Sequence, residues 1–504
     1  MTVGDLVPRL SGVVAGAAGA LSSDPDVLDR VVTAVTYDSR HVTPGAVFVA
    51  LRGQRFDGVA FASAAATQGA VLVVSSASPP VDVRVPWVPV EEARLALAEL
   101  AAAFYGDPSH ELTVVGVTGT NGKTTTAYLL AAIFNAAGWP CGRIGSLGYD
   151  TGGTARAAER TTPEAPELQS LLREMVEYRR AACAMEVSSH ALAMRRVDGN
   201  RFAAAIFSNL TRDHLDYHPD MEHYFSTKRR LFDMLPAGAP AIINTDDSYG
   251  LQLAAVVGCA VTYAIDRPAD VTPERVVSSF TGTSFDVRTP RGRLQIRSPL
   301  PGRFNVYNVL AAVSAAIALD VPFQAIEQGV AGLEGVPGRF ELVSAPDDEV
   351  RVVVDYAHTD DALRAVLKAV RELCGGRLIS VFGCGGGRDV SKRPLMGAVA
   401  ARSSDLVVVT SDNPRSEDPA RIIDEVRLGI SSAATTTGPR HLDIADRRVA
   451  IERAIDEAEP GDAVVIAGKG HETHQVVGDE RRPFDDRLVA RAALARKRGR
   501  LRVS

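Results

Sequence analysis

Short apolar runs recur along this chain, and most of them do not alternate with polar residues. Residues 46–51 (AVFVAL), 69–75 (GAVLVVS) and 112–118 (LTVVGVT) are rich in valine, and residues 182–187, 203–208, 241–244, 350–355, 378–382, 406–410 and 463–467 follow the same pattern. Strands of a parallel sheet read this way because helices cover both of their faces. Between the runs lie alanine-rich stretches of helical length, notably 92–105, 123–137 and 306–319. A strand entering a loop is expected at 35–40, and a region richer in strands at 259–298. Strands alternating with helices predict an α/β protein.

Two clusters of turn formers break the pattern. They are Gly106-Asp107-Pro108-Ser109 and Gly335-Val336-Pro337-Gly338. With 504 residues the chain exceeds what one hydrophobic core supports. The expected domains are therefore 1–109, 110–335 and 336–504. The first is a smaller α/β domain, the second a P-loop-type nucleotide-binding domain with a mostly parallel sheet, and the third a Rossmann-like βα array. Residues 12–21 (GVVAGAAGAL) imitate the core of a signal peptide, but Asp5 and Pro8 precede them and the basic leader is weak. A helix with a small-residue face is expected there. The basic tail 487–502 reads as a solvated helix face.

Composition narrows the function only by exclusion. A net charge of -6 gives no reason to expect a nucleic-acid partner. No apolar run reaches the ~18 residues that a membrane span needs. Cys141, Cys183, Cys259, Cys374 and Cys384 form no C-x-x-C pair and read as reduced thiols of a cytosolic protein.

The most informative segment is Gly116-Val117-Thr118-Gly119-Thr120-Asn121-Gly122-Lys123-Thr124-Thr125-Thr126. It departs from the common phosphate-loop pattern, since Val117 stands where a glycine is usual. What remains is G-x-x-G-K-T between a buried strand and a helix. Glycines let backbone N–H groups curl around phosphate oxygens, and the helix N-terminus adds partial positive charge. Lys123 can reach the terminal phosphates, and the Thr124 hydroxyl can ligate Mg²⁺.

The variant G-T-N-G-K-T-T-T resembles the Mur ligase family, and further segments match in order. These are 184–190 (AMEVSSH), 209–218 (NLTRDHLDYH), 224–228, 302–308 (GRFNVYN), 338–341 (GRFE), 355–358 (DYAH) and 468–472 (GKGHE). The resemblance spans about residues 36–487. It implies an ATP-dependent ligase that forms an amide bond on a UDP-linked muramoyl peptide through an acyl phosphate. Asp412-Asn413-Pro414-Arg415 resembles the motif that selects meso-diaminopimelate, whose second carboxylate an arginine can grip through two hydrogen bonds. The implied acceptor is UDP-MurNAc-L-Ala-D-Glu. A lysine-adding relative and a folylpolyglutamate-synthetase-like ligase are the alternatives. Arg415 disfavours the former, and the long N-terminal region the latter.

The resemblance also implies roles for residues. Lys123, Glu186, His214 and Lys228 form the catalytic set. Glu186 and Thr124 hold one Mg²⁺, and His214 helps hold a second with Lys228, whose amine is carbamoylated by CO₂ (N6-carboxylysine). ATP meets Gly119, Thr120, Asn121, Gly122, Lys123, Thr124, Thr125, Asn305, Asn308, Arg339 and Asp355, with His358 a weaker candidate. The muramoyl dipeptide nucleotide meets Tyr37, Ser39, Gln54, Arg55, Phe56, Thr161, Thr162, Ser188, Met194 and Arg196. Diaminopimelate meets Arg388, Asp412, Asn413, Pro414, Arg415, Gly468 and Glu472. Two positions depart from the family: Asp360 replaces a usual proline, and Met194 stands where some relatives carry glutamine. The implied enzyme is a cytoplasmic monomer with small-molecule substrates, no nucleic acid and no membrane insertion.

Overall fold

The valine-rich runs become strands, and the alanine-rich stretches become the helices that cover them. The computed structural model describes residues 1–14, 25–53, 56–433 and 439–501. Near the N-terminus, β1 (Ala34–Thr36), β2 (Ala46–Ala50), β3 (Leu72–Ser75) and β4 (Trp87–Pro89) form a parallel sheet in sequential order. Helix α1 (Ala93–Phe104) lies on it. Its buried alanines let Leu97 and Leu100 pack closely against Val47, Val49 and Val74.

The second sheet has seven strands: β5 (Thr113–Thr118), β6 (Cys141–Gly145), β7 (Gly148–Asp150), β8 (Ala182–Glu186), β9 (Ala204–Phe207), β10 (Ala241–Asn244) and β11 (Ala260–Tyr263). Their spatial order is β11-β10-β9-β5-β8-β6-β7, parallel except for β7. Helix α2 (Lys123–Ala136) follows β5 directly. Its Leu129, Leu130, Ile133 and Phe134 share a core with Val309, Leu310 and Val313 of α7 (Arg303–Ala318). On the other face lie α3 (Ala165–Glu177), α4 (Ser189–Ala193) and α5 (Met221–Asp233), while α6 (Ser248–Ala254) follows β10. The expected strand-rich region includes an antiparallel sheet of β12 (Thr272–Ser279), β13 (Gly282–Thr289) and β14 (Gly292–Ser298).

The third sheet has the order β15-β16-β20-β17-β18-β19. Its members are β15 (Glu341–Leu342, antiparallel), β16 (Arg351–Asp355), β17 (Leu378–Phe382), β18 (Leu406–Val409), β19 (Arg440–Asp443) and β20 (Ala463–Ala467). Alternate residues divide between two cores, as a pleated strand requires. Val353, Phe382, Val407 and Val465 face α8 (Asp360–Leu373), α9 (Lys392–Ser403) and α10 (Pro419–Ala433). Val352, Val354, Val381 and Ile466 face α11 (Arg447–Glu457) and α12 (Asp486–Leu501). The molecule is thus a three-domain α/β protein with mostly parallel sheets.

Some expectations need correction. The helix expected over 12–21 does not include its first residues: Gly12 has φ 66° and Val13 pairs with Val90, while 15–21 lie outside the described residues. The hairpin of β21 (His474–Val477) and β22 (Glu480–Pro483) was not anticipated, because its polar strands carry no apolar period. The basic C-terminal helix is anchored, since Val489, Ala490, Ala493 and Leu494 are buried. All five cysteines are free. Among the described residues no helix is long and apolar enough to cross a membrane.

One buried ion pair ties the third domain together. Arg447 and Asp486 are both fully buried, and Nε and Nη2 donate to the two carboxylate oxygens at 2.8 and 2.7 Å. Nη2 also donates to the Ala467 carbonyl at 2.9 Å. Removing one partner leaves a buried charge uncompensated. Arg447→Met should therefore cost the third domain ~3–5 kcal/mol in urea unfolding. The double replacement Arg447→Met, Asp486→Leu should cost less than either single change.

Candidate active site

The strand β5 ends in a loop that turns into α2, and two glycines make the turn possible. Gly119 has φ 141° and Gly122 has φ 91°, values that side chains rarely tolerate. A Cβ on Gly119 would overlap the Ser208 hydroxyl and press on the Asn209 backbone, and one on Gly122 would overlap Asn308. Asn209 clamps the loop. Its Oδ1 accepts from Asn121 N at 2.9 Å, its Nδ2 donates to the Asn121 carbonyl at 3.1 Å, and its own carbonyl accepts from Thr120 N at 2.9 Å.

Lysines crowd this loop. Lys123 Nζ donates to the Gly119 and Thr120 carbonyls, both at 2.9 Å. Lys228, buried on α5, donates to the same Gly119 carbonyl at 2.9 Å and sits 4.6 Å from the Tyr224 ring centre. Burial pushes Lys228 well below its ordinary pKa, and the charge of Lys123 pushes the same way. Lys123 is also lowered by burial, against the pull of Glu186 and Asp213.

Glu186, at the end of β8, is buried and multiply bonded. Thr124 Oγ1 donates to its Oε2 at 3.0 Å, and Ser146 donates to its Oε1 from N at 2.9 Å and from Oγ at 3.2 Å. Thr162 Oγ1 donates to the Glu186 carbonyl at 2.8 Å. His214 sits in a left-handed conformation, φ 54°, with Nε2 3.4 Å from Asp213 Oδ2. Burial holds its imidazole well below the usual pKa, with Lys228 assisting and Asp213 opposing, so it is neutral near pH 7. Its ring packs edge-on against His190, centroids 5.0 Å apart. Among the described residues no three His, Cys, Asp or Glu cluster as a metal site. A cation bound here would complete its shell from hydroxyls, water and substrate oxygens, which is the habit of Mg²⁺.

The loop opens into a cleft of 450 Å³ between the second and third domains. Its walls include Thr120, Asn121, Gly122, Lys123, Thr124, Thr125, Thr161, Glu186, His214, Asn308, Arg339, Asp355 and His358. Arg339 bridges the domains: Nη2 donates to Thr124 Oγ1 at 3.4 Å, and the guanidinium covers the Tyr356 ring at 4.4 Å. Asp355 is raised by burial against the pull of Arg339 and accepts backbone N–H groups from Phe340 at 2.6 Å and Ala357 at 2.7 Å. Asn305 lies behind the wall, donating to the Pro301 carbonyl at 2.8 Å while its Oδ1 accepts from Asn308 Nδ2 at 3.0 Å. Asp360 occupies the first turn of α8, where a negative charge suits the helix dipole, and Thr359 caps it through Ala362 N.

Three loops at the C-terminal ends of β17, β18 and β20 form a second cluster, where ligands of open α/β sheets bind. Asn413 Nδ2 donates to Glu472 Oε2 at 2.9 Å. Arg415, with φ 52°, donates Nη1 to the Gly386 carbonyl at 2.6 Å. Asp412 lies against Gly468, with Pro414 beside Gly386. Arg388 stands near enough to His190 for its charge to lower that imidazole, after burial, Arg196 and Lys228. Arg212 joins the domains through Ser391 and Asp389.

The N-terminal candidates are looser. Tyr37 donates to Glu167 Oε1 at 3.2 Å, Ser39 starts a short 3₁₀ turn, and Phe56 is 70% exposed against Phe61. Gln54 and Arg55 lie outside the described residues. Arg196 pairs with Glu164 at 2.8 Å and donates to the Met194 sulfur at 3.2 Å, so the methionine still accepts a hydrogen bond. Ser188 caps α4 through Ala191 N at 3.2 Å.

Sequence reasoning missed several wall residues. Asn209, Thr211 and Asp213 stood inside a matching motif without an assigned role. Asp246 and Asp247 follow β10, and their position beyond a parallel strand was a usable signal. Ser146 gave none.

Comparison with known proteins follows the same division. Residues 31–105 match the description "Mur ligase family, catalytic domain", 117–316 "Mur ligase middle domain" and 338–470 "Mur ligase, glutamate ligase domain". A curated protein of Solibacter usitatus (strain Ellin6076), named UDP-N-acetylmuramoyl-L-alanyl-D-glutamate--2,6-diaminopimelate ligase, is 47% identical over 93% of this chain and 95% of its own. A solved structure of a ligase with that name superposes with a TM-score of 0.67 at 35% identity, covering 93% of this chain and 95% of that one. The MurF ligase of Thermotoga maritima in complex with ADP shares the fold at 18% identity, with a TM-score of 0.61 over 94% and 98% of the two chains.

The loop geometry gives a direct test. Gly119→Ala should destabilise the second domain by more than the ~1 kcal/mol of left-handed strain alone. Gly138→Ala is the control, since Gly138 has φ 77° and a Cβ added there would meet nothing within 4 Å. Equal losses for the two in denaturant unfolding would remove Ser208 and Asn209 as the constraint.

Proposed function

Because the chain belongs to the Mur ligase family, we propose that it joins meso-diaminopimelate to the D-Glu γ-carboxylate of UDP-MurNAc-L-Ala-D-Glu, with ATP as energy source. The observation that carries this reading is the charge pattern of the second loop cluster. Arg388 and Arg415 lie in the same three loops as Asp412 and Glu472. Diaminopimelate carries two carboxylates and two ammonium groups, so it needs cations and anions together, whereas lysine has no second carboxylate for Arg415. The curated relatives named for this reaction support the same substrate.

The chemistry follows from the groups at hand. A carboxylate is a poor electrophile, and transfer of the ATP γ-phosphoryl group makes an acyl phosphate with a good leaving group. The diaminopimelate amine then displaces phosphate. Both steps gather negative charge, which Lys123, the loop N–H groups and the N-terminus of α2 are suited to stabilise. Arg339 and Asp355 bring the third domain to the nucleotide, and Asn308 meets it from the second, with Asn305 orienting Asn308 from behind. Thr161, Thr162, Ser188, Met194 and Arg196 lead from the N-terminal domain, where Tyr37, Ser39, Gln54, Arg55 and Phe56 take the UDP-sugar, toward Glu186.

The donor set suits Mg²⁺. Thr124, Ser146 and Glu186 offer only oxygen, and His214 offers a neutral imidazole. Bound there, Mg²⁺ supplies charge neutralisation at the phosphates. Lys228 fits the carbamate implied by resemblance, because only an uncharged amine adds CO₂ and its burial favours that form. The carbamate reverses its sign beside Lys123 and turns a like-charge pair into an opposite one. Nucleotide substrates put the reaction in the cytoplasm, and the three domains of one chain supply every group named, so a monomer suffices.

Phosphate release from ATP, with UDP-MurNAc-L-Ala-D-Glu and either meso-diaminopimelate or L-lysine, tests the reading. Release and tripeptide product are expected only with diaminopimelate; product with lysine alone would overturn the substrate assignment. Arg415→Ala should raise the KM for diaminopimelate about 10- to 100-fold, the size of a lost charge-assisted pair, and that for ATP far less. Equal increases would remove Arg415 from the amino-acid site.

A further inference from the structure

A lysine at the heart of the second loop cluster is fully buried, which is rare for this residue type. Lys469 follows the turn at Gly468, φ 113°, just beyond β20. Its Nζ donates to Asn413 Oδ1 at 3.1 Å and to Glu472 Oε2 at 2.8 Å. Asn413 Oδ1 also accepts from Val476 N at 2.9 Å. Both groups facing that atom are donors, so it is the carboxamide oxygen, and the amide nitrogen is left to donate to Glu472 Oε2 at 2.9 Å. Glu472 Oε2 therefore carries two hydrogen bonds, while among the described residues Oε1 accepts none.

We propose that Lys469 is the positioning residue of the amino-acid subsite: it fixes the Asn413 carboxamide and ties down one oxygen of Glu472, leaving Oε1 as the acceptor for an ammonium group of the incoming amino acid. This rests on the reading of that cluster as the amino-acid site. The lysine also settles the charge of the carboxylate. Burial acts to raise Glu472, but the charge and hydrogen bond of Lys469, with the bond from Asn413, hold it below its ordinary value. A neutral Glu472 would offer a hydroxyl where an ammonium group needs an anion. Lys469 has no route to the substrate itself, so its effect passes through Asn413 and Glu472.

The test uses the full-length enzyme and steady-state kinetics with each substrate varied in turn. Lys469→Met should raise the KM for diaminopimelate about tenfold or more, as expected for losing charge-assisted hydrogen bonds, and leave the KM for ATP within about twofold. Without the lysine, only the bond from Asn413 and the charge of His471 still oppose burial at Glu472, so its pKa rises. The variant's KM for diaminopimelate should therefore climb more steeply than the wild type's as pH is lowered from about 8. Added to Glu472→Gln, Lys469→Met should raise that KM by clearly less than it does in the wild-type background, because one of the two groups it acts through is already gone. Equal rises in both KM values, a pH profile no steeper than the wild type's or full additivity with Glu472→Gln would overturn the proposal. Lys469→Gln drops the charge while keeping a donor, and is read by the same criteria if the methionine variant does not fold. Wild-type turnover in the same assay separates the two ideas: if the wild type used lysine instead, the substrate reading would fail, and the mutant ratios, taken with lysine, would still decide the role of Lys469.

Discussion

Two lysine ammonium groups converge on one carbonyl oxygen, that of Gly119, and much of the second domain is arranged around that fact. Neither Lys123 nor Lys228 forms an ion pair with a carboxylate among the described residues; each is held by backbone oxygen or an aromatic face. Two like charges in a poorly solvated site repel, and burial weakens the hold on both protons. An entering polyphosphate brings the opposite charge to a loop whose N–H groups and helix terminus already face it. The geometry that allows this is unforgiving, because Gly119 and Gly122 leave no room for a side chain beside Ser208 and Asn308. The central place of β5, between β8 and β9, brings Glu186 from one neighbour and Ser208 with Asn209 from the other to the same loop.

The parallel cores were legible in the sequence because runs such as 114–117 and 463–467 carry no polar side chain that a buried strand would have to satisfy. The phosphate loop was legible despite Val117, since its strand, glycines and helix occur in the necessary order. Lys228 is more instructive. Beside Arg229 and Arg230 it resembles a solvated charge run, and only family resemblance singled it out. Yet Tyr224, Phe225, Lys228, Leu231 and Phe232 recur at helical spacing, and all five are buried on one face of α5. The period contained the signal, and the charge concealed it. Lys469 gave less warning: in Gly-Lys-Gly-His-Glu a lysine reads as a loop charge, and its burial depends on Asn413, 56 residues earlier in the chain. Contacts of that kind are set by strand order, which local pattern does not encode.

Strand order also explains the second cluster. In the third sheet β20 inserts between β16 and β17, so chain-distant segments end side by side. Strand β16 ends in Asp355, the loop after β20 carries Gly468 to Glu472, that after β17 carries Arg388, and that after β18 carries Asp412 to Arg415. Arg447 fastens two of them from below, reaching the Ser411 carbonyl at 3.4 Å and the Ala467 carbonyl at 2.9 Å while Asp486 neutralises it. Arg393, also buried, does the same for the β17 loop, donating to the Gly385 carbonyl at 3.3 Å and pairing with Glu417 at 2.9 Å. These loops are thus supported from below by cations that never meet solvent.

Three of the non-glycine residues with positive φ lie at the same places, and Asp107, Arg179, Arg195, Arg275 and Asp320 share that conformation elsewhere. His214, Phe340 and Arg415 are non-glycine residues with φ between 44° and 54°, a conformation that costs of order 1–3 kcal/mol for a side chain. Each is held by bonds on its own backbone. The His214 carbonyl accepts from Tyr217 N at 3.0 Å and His218 N at 2.8 Å, Phe340 N donates to Asp355 at 2.6 Å, and Arg415 donates to Val476 at 3.1 Å and accepts from Gly478 at 2.7 Å. Glycine would adopt each turn at lower cost, so the turn alone does not account for these residues. The side chains do. The Phe340 ring is buried against Phe304, with centroids 5.9 Å apart, and so fixes the segment that carries Arg339 to the nucleotide cleft. His214 and Arg415 instead present an imidazole and a guanidinium from bends that a relaxed backbone could not make at the same points. The hydrogen bonds on these backbones hold the three side chains in their places.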